Sequence, residues 1–200
     1  MSSKQNNIGI VILAAGNSSR LGRPKQLLEY KDSTLLKNTI KEISLVQNSN
    51  IIVVTGANNE LIEKELLEFP KIKTTFNPDW QSGMSSSIVK GLSELLVLYS
   101  DSQSCIFAVC DQPYVTAAVF ENLINEAVKT RKGIAASAYA ETLGTPVLFD
   151  KKYFNALLEL KGQEGAKKVI NTFLNDTVAV PFEKGDIDID TEEDYNELIS

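Results

Sequence analysis

Short apolar runs alternate along the chain with longer stretches of helical period. Ile8–Leu13 and Ile51–Thr55 are nearly continuous and rich in β-branched residues. Cys105–Cys110 and Ile134–Ala138 are further runs, and Val178–Val180 is a weaker late one. Between them, apolar positions recur at helical spacing over Leu35–Val46, Glu60–Phe69, Ser85–Tyr99, Ala117–Thr130, Tyr153–Leu160 and Gly165–Leu174, and Glu192–Ile199 closes the chain. Strands that are apolar throughout are buried on both faces, and their alternation with helices implies right-handed crossovers. The pattern predicts one three-layer α/β domain over residues 1–200 with a mostly parallel central sheet. Gly144–Phe149, where Gly-Thr-Pro precedes Val-Leu-Phe, fits an antiparallel edge strand.

Composition narrows the function. A chain of 200 residues that is 43% hydrophobic and 23% charged is not a disordered one. No apolar run approaches the ~18 to 20 residues of a membrane span. Met1–Asn7 is polar and unlike a signal peptide, so the expected compartment is the cytoplasm. The net charge of −6 and pI near 4.8 argue against nucleic acid or an anionic membrane as partner. Cys105 and Cys110 lie an odd number of positions apart, so a strand sends them to opposite faces as buried, reduced thiols. The chain has no histidine, which removes histidine triads, His-based zinc sites and imidazole bases together. Chemistry here is left to carboxylates, lysine, arginine and backbone amides, with or without a metal.

In open α/β sheets, ligands bind beyond the carboxyl ends of the strands. The first such end reads Leu13-Ala-Ala-Gly-Asn-Ser-Ser-Arg-Leu-Gly-Arg-Pro-Lys25. Arg20, Arg23 and Lys25 cluster there, and Arg131 is the only other arginine. Ala14, Ala15 and Gly16 lack bulk, so the backbone can approach a ligand and offer amides to phosphate oxygens. Pro24 delays helix formation, leaving an open loop to about Thr34. It is neither a P-loop nor a Gly-x-Gly-x-x-Gly dinucleotide motif. The bland alternative is a solvated loop whose basic residues balance nearby acids.

Leu-Ala-Ala-Gly-x-x-x-Arg-x-Gly-x-x-Lys resembles the signature loop of the α/β nucleotidyltransferases. The likeness runs from Ile8 to about Tyr195. Asn77-Pro-Asp-Trp-Gln-Ser-Gly-Met-Ser-Ser-Ser, Cys110-Asp-Gln-Pro, Gly144-Thr-Pro-Val-Leu-Phe and Asp188-Ile-Asp-Thr-Glu-Glu-Asp194 resemble the branch that forms molybdenum cofactor dinucleotides. Within it, the chain is most similar to the molybdenum cofactor cytidylyltransferases. The resemblance implies a Rossmann-like nucleotidyltransferase fold and transfer of CMP from CTP to the molybdopterin cofactor. Mg²⁺ is the implied cofactor, and a molybdoenzyme or its chaperone the implied recipient of the product.

It also implies roles for residues. Leu13, Ala14, Ala15 and Gly16 would line the nucleotide, while Arg20 and Lys25 hold the phosphates. Gly83, Ser85 and Ser86 would meet base and ribose, against the alternative of plain helix capping. Asp111, just past an apolar run, would hold Mg²⁺ against the triphosphate. Asp190 would grip the ion from the other side. Asp186, Asp188 and Asp190 alternate, so on a strand they share one face, with Asp188 in support. Their bland role is to precede a helix capped by Thr191 and Asp194. Gly162-Gln-Glu-Gly-Ala-Lys167 departs from the family's Gly-Asp-x-Gly-Ala-Arg and is expected on the pterin side. Guanylyl transfer, transfer to a sugar phosphate, a glycosyltransferase using Asp188-Ile-Asp190, and a non-catalytic nucleotide sensor remain the competing readings. Leu-Ala-Ala-Gly, where guanylyl-transferring relatives more often read Leu-Ala-Gly-Gly, favours CTP.

Overall fold

The apolar runs form strands and the periodic stretches form helices, in the expected order. The computed structural model describes residues 7–200, so the polar start at residues 1–6 lies outside the described residues. The strands are β1 (Ile8–Leu13), β2 (Glu29–Tyr30), β3 (Ser33–Thr34), β4 (Ser49–Thr55), β5 (Lys73–Phe76), β6 (Ser104–Val109), β7 (Ile134–Tyr139), β8 (Thr142–Asp150) and β9 (Thr177–Pro181). The helices are α1 (Leu35–Ile43), α2 (Asn59–Leu66), α3 (Met84–Leu98), α4 (Ala117–Thr130), α5 (Phe154–Leu158), α6 (Ala166–Thr172) and α7 (Glu192–Ile199). Local chemistry sets several ends. Thr34 caps α1 by accepting from the Lys37 amide at 3.3 Å, and Thr191 and Asp194 form a reciprocal capping box on α7.

A seven-stranded sheet has the order β5-β4-β1-β6-β8-β7-β9, and β2 pairs only with β3. Among the seven, β8 alone opposes its neighbours, being antiparallel to both β6 and β7. The expectation of an edge strand at Gly144–Phe149 is therefore corrected: β8 is interior. It tolerates Pro146 because the β7–β8 register shifts between Ala136 and Ser137, where Thr145 and Pro146 have no ladder partner. Pairing with β6 begins only at Val147. A proline at such a bulge gives up no ladder hydrogen bond. β5 carries no apolar run. Of Lys-Thr-Thr-Phe only Thr75 is buried, as suits an edge strand seen by the core from one side.

Helices cover both faces. Ile40, Ile62, Phe120 and Leu123 of α1, α2 and α4 pack on Ile8, Ile10 and Ile12 of β1. Ile88, Leu92 and Leu95 of α3, with Leu157 and Ile170 of α5 and α6, pack on Val11, Ile52 and Val54. Cys105 and Cys110 fall into these two opposite layers as free, buried thiols. A smaller cluster of Leu21, Leu28, Leu35, Ile189 and Tyr195 fastens the first loop to the C-terminal segment. Among the described residues, no helix is long and apolar enough to cross a membrane.

Candidate active site

Parallel strands β4, β1 and β6 end side by side, with Leu13 opposite both Val54 and Val109. The loop after β1 leaves the sheet under backbone control. The Ala14 amide donates to Val54 O (3.0 Å), and the Ala57 amide donates to Ala15 O (3.1 Å). A short 3₁₀ turn, Lys25–Leu27, then brings the chain back. Its Gln26 is 1% exposed and donates from Nε2 to both Ala14 O and Gly16 O at 3.0 Å. The carbonyls of residues 14–16 are thus satisfied by the protein. The amides of Ala15, Gly16 and Asn17 have no protein acceptor among the described residues. Successive free amides suit an anion.

The charged groups converge on Lys25. Its Nζ donates to Asp111 Oδ2 and, at 2.8 Å, to Asp190 Oδ1. Arg20 donates to the other Asp190 oxygen at 2.6 Å. Asp111 stands just beyond β6. The Ile189 amide donates to its carbonyl at 3.0 Å, which draws Asp190 alongside. Lys25 and Asp111 are only 18% and 16% exposed in their side chains, so solvent screens this pair little. Arg20 is 68% exposed, and its pair with Asp190 is worth about 0–1 kcal/mol. Burial lowers the Lys25 pKa, but the Asp111 charge and the two carboxylate hydrogen bonds outweigh it and hold the ammonium protonated. Burial raises Asp190, yet Lys25 and Arg20 pull it below its ordinary value. Asp188 is open to solvent as a residue, but the protein packed beside its carboxyl displaces water from it and, with the charge of Asp111, pushes it up to about 6.

Of these groups, Lys25 and Asp111 line a cavity of about 360 Å³ together with Leu13, Ala15, Gly16 and Gly83 among others, whereas Arg20, Asp188 and Asp190 are not part of its wall. Of the residues expected around a nucleotide, Ala14 lies behind this wall, 1% exposed in the core. Ser85 and Ser86 engage elsewhere. Ser85 Oγ donates to Gly162 O at 2.7 Å, and Ser86 bonds the backbone of residues 79–83 and accepts from Asn77. Ser87 lines the cavity instead. Gln26, Trp80, Met84 and Gln163 also line it and were not singled out as nucleotide contacts from sequence. Gln26 carried a legible signal, an amide placed directly after the motif lysine. Gln163, expected on the pterin side, shares this cavity, while Lys167 lies apart and donates to Thr142 at 2.6 Å. Cys110 lines the wall too, but burial pushes its thiol up to about 12, so it is no nucleophile.

The late acids need a correction. Residues 186–190 are not a strand, because no partner strand flanks them. Ile189 is fully buried between Asp188, which is exposed, and Asp190. The same segment latches the first loop. Arg23 forms a two-bond fork with Glu192 (2.9 Å each) and lies 5.1 Å from the Tyr195 ring centre, so this member of the basic cluster balances a nearby acid. A more open concavity of about 930 Å³ beside the β2–β3 hairpin holds none of the signature loop, and its Lys37 is already paired with Glu65 and Glu68.

The donor set fits a hard divalent cation. Asp111 Oδ1 is buried without a hydrogen-bond partner, and two carboxylates already share one cationic group. Oxygen ligands of this kind suit Mg²⁺, which keeps water and substrate phosphates in its shell. Among the described residues no group of three or more acidic, cysteine or histidine side chains could hold a metal. A cation here would therefore draw much of its coordination from substrate.

The MobA-like NTP transferase domain family matches residues 10–178. The chain is similar to a molybdenum cofactor cytidylyltransferase of Escherichia coli (strain K12), with 25% identity across 94% of this chain and 93% of that protein. It is also 32% identical to nicotine blue oxidoreductase of Paenarthrobacter nicotinovorans, over 68% of this chain and 63% of that one. Among solved structures, Rv0371c of Mycobacterium tuberculosis H37Rv superposes with a TM-score of 0.84 at 26% identity, covering 98% of this chain and 100% of that one. A manganese complex of Rv0371c gives 0.79 at 25% identity, covering 96% and 97%.

Proposed function

The chain belongs to the MobA-like NTP transferase family and is a nucleotidyltransferase, and from that premise we propose that it transfers CMP from CTP to the phosphate of the molybdenum-molybdopterin cofactor. The products would be molybdopterin cytosine dinucleotide and pyrophosphate. The observation that carries this reading is Lys25, held between Asp111 and Asp190 against a loop of free amides. The choice of CTP and of the pterin is supported by likeness to the E. coli enzyme over nearly its whole length and by the Leu-Ala-Ala-Gly loop. The reading includes one nucleotidyltransferase domain over residues 1–200, working in the cytoplasm without nucleic-acid or membrane partners. A molybdoenzyme or its chaperone would receive the product.

The chemistry needs no histidine. The acceptor's phosphate monoester is largely ionised near neutral pH, its second pKa being about 6, so no side chain has to deprotonate it. Its oxygen attacks the α-phosphorus in line, the α–β bridging bond breaks, and pyrophosphate leaves with that electron pair. Amides of residues 15–17 and Gly83 at the start of α3 orient the nucleotide. Lys25 and Arg20 neutralise the charge that grows on the leaving phosphates. Asp111 and Asp190 would hold Mg²⁺, which when bound supplies further charge neutralisation to the phosphate oxygens.

Pyrophosphate release, measured with CTP and with GTP, with and without molybdopterin cofactor and EDTA, tests the reading. Release that requires the acceptor, favours CTP and stops in EDTA is expected. Equal or better turnover with GTP would overturn the base assignment. Release with a sugar phosphate but not with the pterin would overturn the acceptor, and release in EDTA would overturn the metal.

A further inference from the structure

The Asp111–Asp190 pair already has a cation, and it belongs to the chain. Lys25 Nζ touches one oxygen of each carboxylate, and Arg20 takes the remaining oxygen of Asp190. We propose that Lys25 is an internal counter-cation: it keeps divalent metal out of the nucleotide-free protein and admits it together with the nucleotide. The inference rests on the reading of Asp111 and Asp190 as the metal pair.

The argument is one of competition. A Mg²⁺-like ion shared by both carboxylates must lie within about 2.0–2.1 Å of an oxygen of each. Both Asp190 oxygens are taken, one by Lys25 and one by Arg20, and only Asp111 Oδ1 is free, so an ion bound there and to Asp190 would sit against the Lys25 ammonium. Two cations cannot share that space without like-charge repulsion. In the free protein, expelling Lys25 would strand an ammonium whose side chain is 18% exposed, and a largely buried charge without its partner is strongly disfavoured. A bound triphosphate changes the balance. It offers Lys25 and Arg20 new anionic oxygens beside the amides of residues 15–17, so the carboxylates are released as the nucleotide is gripped. The lysine backbone need not move. Its amide stays on Ser18 Oγ at 3.0 Å, and only the flexible four-carbon stem must turn. By reciprocity, the nucleotide must raise metal affinity by the same factor as the metal raises nucleotide affinity.

The test uses the full chain with Mn²⁺ as probe and water-proton relaxation enhancement as readout, which separates protein-bound Mn²⁺ from Mn²⁺ held by nucleotide alone. For wild type, weak Mn²⁺ binding alone and an enhancement in the ~5–150-fold range with a non-hydrolysable CTP analogue are expected. Lys25→Met should bind Mn²⁺ at least about fivefold tighter without nucleotide, and its nucleotide enhancement should shrink to match. Lys25→Arg, which keeps a cation between the acids, should stay weak. Unchanged or weaker nucleotide-free binding in a folded Lys25→Met overturns the proposal. Should that variant not fold, tight Mn²⁺ binding by wild type without nucleotide, or no enhancement with it, does the same. The underlying reading fails separately. Asp190→Asn that leaves Mn²⁺ binding in the nucleotide complex intact would remove the metal pair itself, whatever Lys25 does.

Discussion

Substituting Gly83 by alanine should damage the site and the fold together, by amounts that the local geometry sets. Gly83 opens α3 at φ 111° and ψ 178°, a region that residues with a side chain rarely enter. Holding alanine there costs about 1–3 kcal/mol. Its methyl would lie 2.3 Å from Gly162 O and 3.0 Å from Gln163 Cδ. Relieving such an overlap costs about 1–3 kcal/mol more. Moving Gly162 also strains the Ser85 hydrogen bond to its carbonyl, worth about 0.5–1.5 kcal/mol. The turn at residues 161–164 is largely exposed and can yield, so about 2–4 kcal/mol is expected rather than the full sum. At roughly 2–4 °C per kcal/mol for a chain of this length, the melting temperature should fall by about 5–15 °C. Because Gln163 and Met84 line the cavity, the nucleotide KM should rise as well. Gly162→Ala is the control. Its φ is +60° but its methyl meets nothing within 4 Å, so about 1–2 kcal/mol is the whole cost. Thermal unfolding followed by circular dichroism, with KM for CTP measured on both variants, decides the matter. A Gly83→Ala protein that melts no lower than Gly162→Ala and keeps the wild-type KM would refute the reasoning.

Further outcomes follow from other contacts. On the proposed role of Asp190 in holding the metal, Asp190→Asn should cut turnover by about 100-fold or more, because such a ligand supplies several kcal/mol of charge stabilisation; Asp188→Asn, which makes no hydrogen bond to Lys25, should lose less than about tenfold, and steady-state pyrophosphate release compares the two. Gln26→Leu leaves the carbonyls of Ala14 and Gly16 without their donor, at about 1–3 kcal/mol each. The KM for CTP should then rise by a larger factor than kcat falls, because loop shape is lost while Lys25 and Asp111 remain. Asp176, away from the site, accepts from Tyr153 and Lys152; burial raises its pKa, but those hydrogen bonds hold it below the ordinary carboxylate value. Its stabilisation is complete above the unfolded value and is lost as pH falls through the lower folded value. Urea unfolding should therefore show Asp176→Asn less stable at pH 7 and the two proteins converging in acid, and a gap that persists undiminished in acid would refute the linkage.

The parallel core strands were legible in the sequence because burial on both faces writes itself as a continuous apolar run, as in Ile8–Leu13 and Cys105–Cys110. The opposite faces of the two cysteines followed from strand periodicity alone. The basic loop and Asp111 were legible for a related reason: each lies immediately after such a run, so the strand that places it is also the strand that announces it. β5 was not legible, because Lys-Thr-Thr-Phe is an edge strand with little to bury. The interior place of β8 escaped as well. Its neighbours β6 and β7 are chosen by pairing across the chain, and the proline that suggested an edge sits at a bulge that only the pairing reveals.

The site divides along the same line. Sequence by itself determined which chemistry was available: no imidazole, a cluster of cations beside small residues, and carboxylates at two distant points. Tertiary structure decided which of these meet. Asp190 reaches Lys25 across 165 positions because the Ile189 amide donates to the Asp111 carbonyl and the Ile189 side chain is buried with Leu21 and Tyr195. Among adjacent serines it is Ser87, not Ser85 or Ser86, that faces the cavity, since the rotation of α3 fixes which side chain turns inward. Local patterns record what a residue does to its own backbone and face. Contacts between distant segments depend on packing that no single stretch encodes.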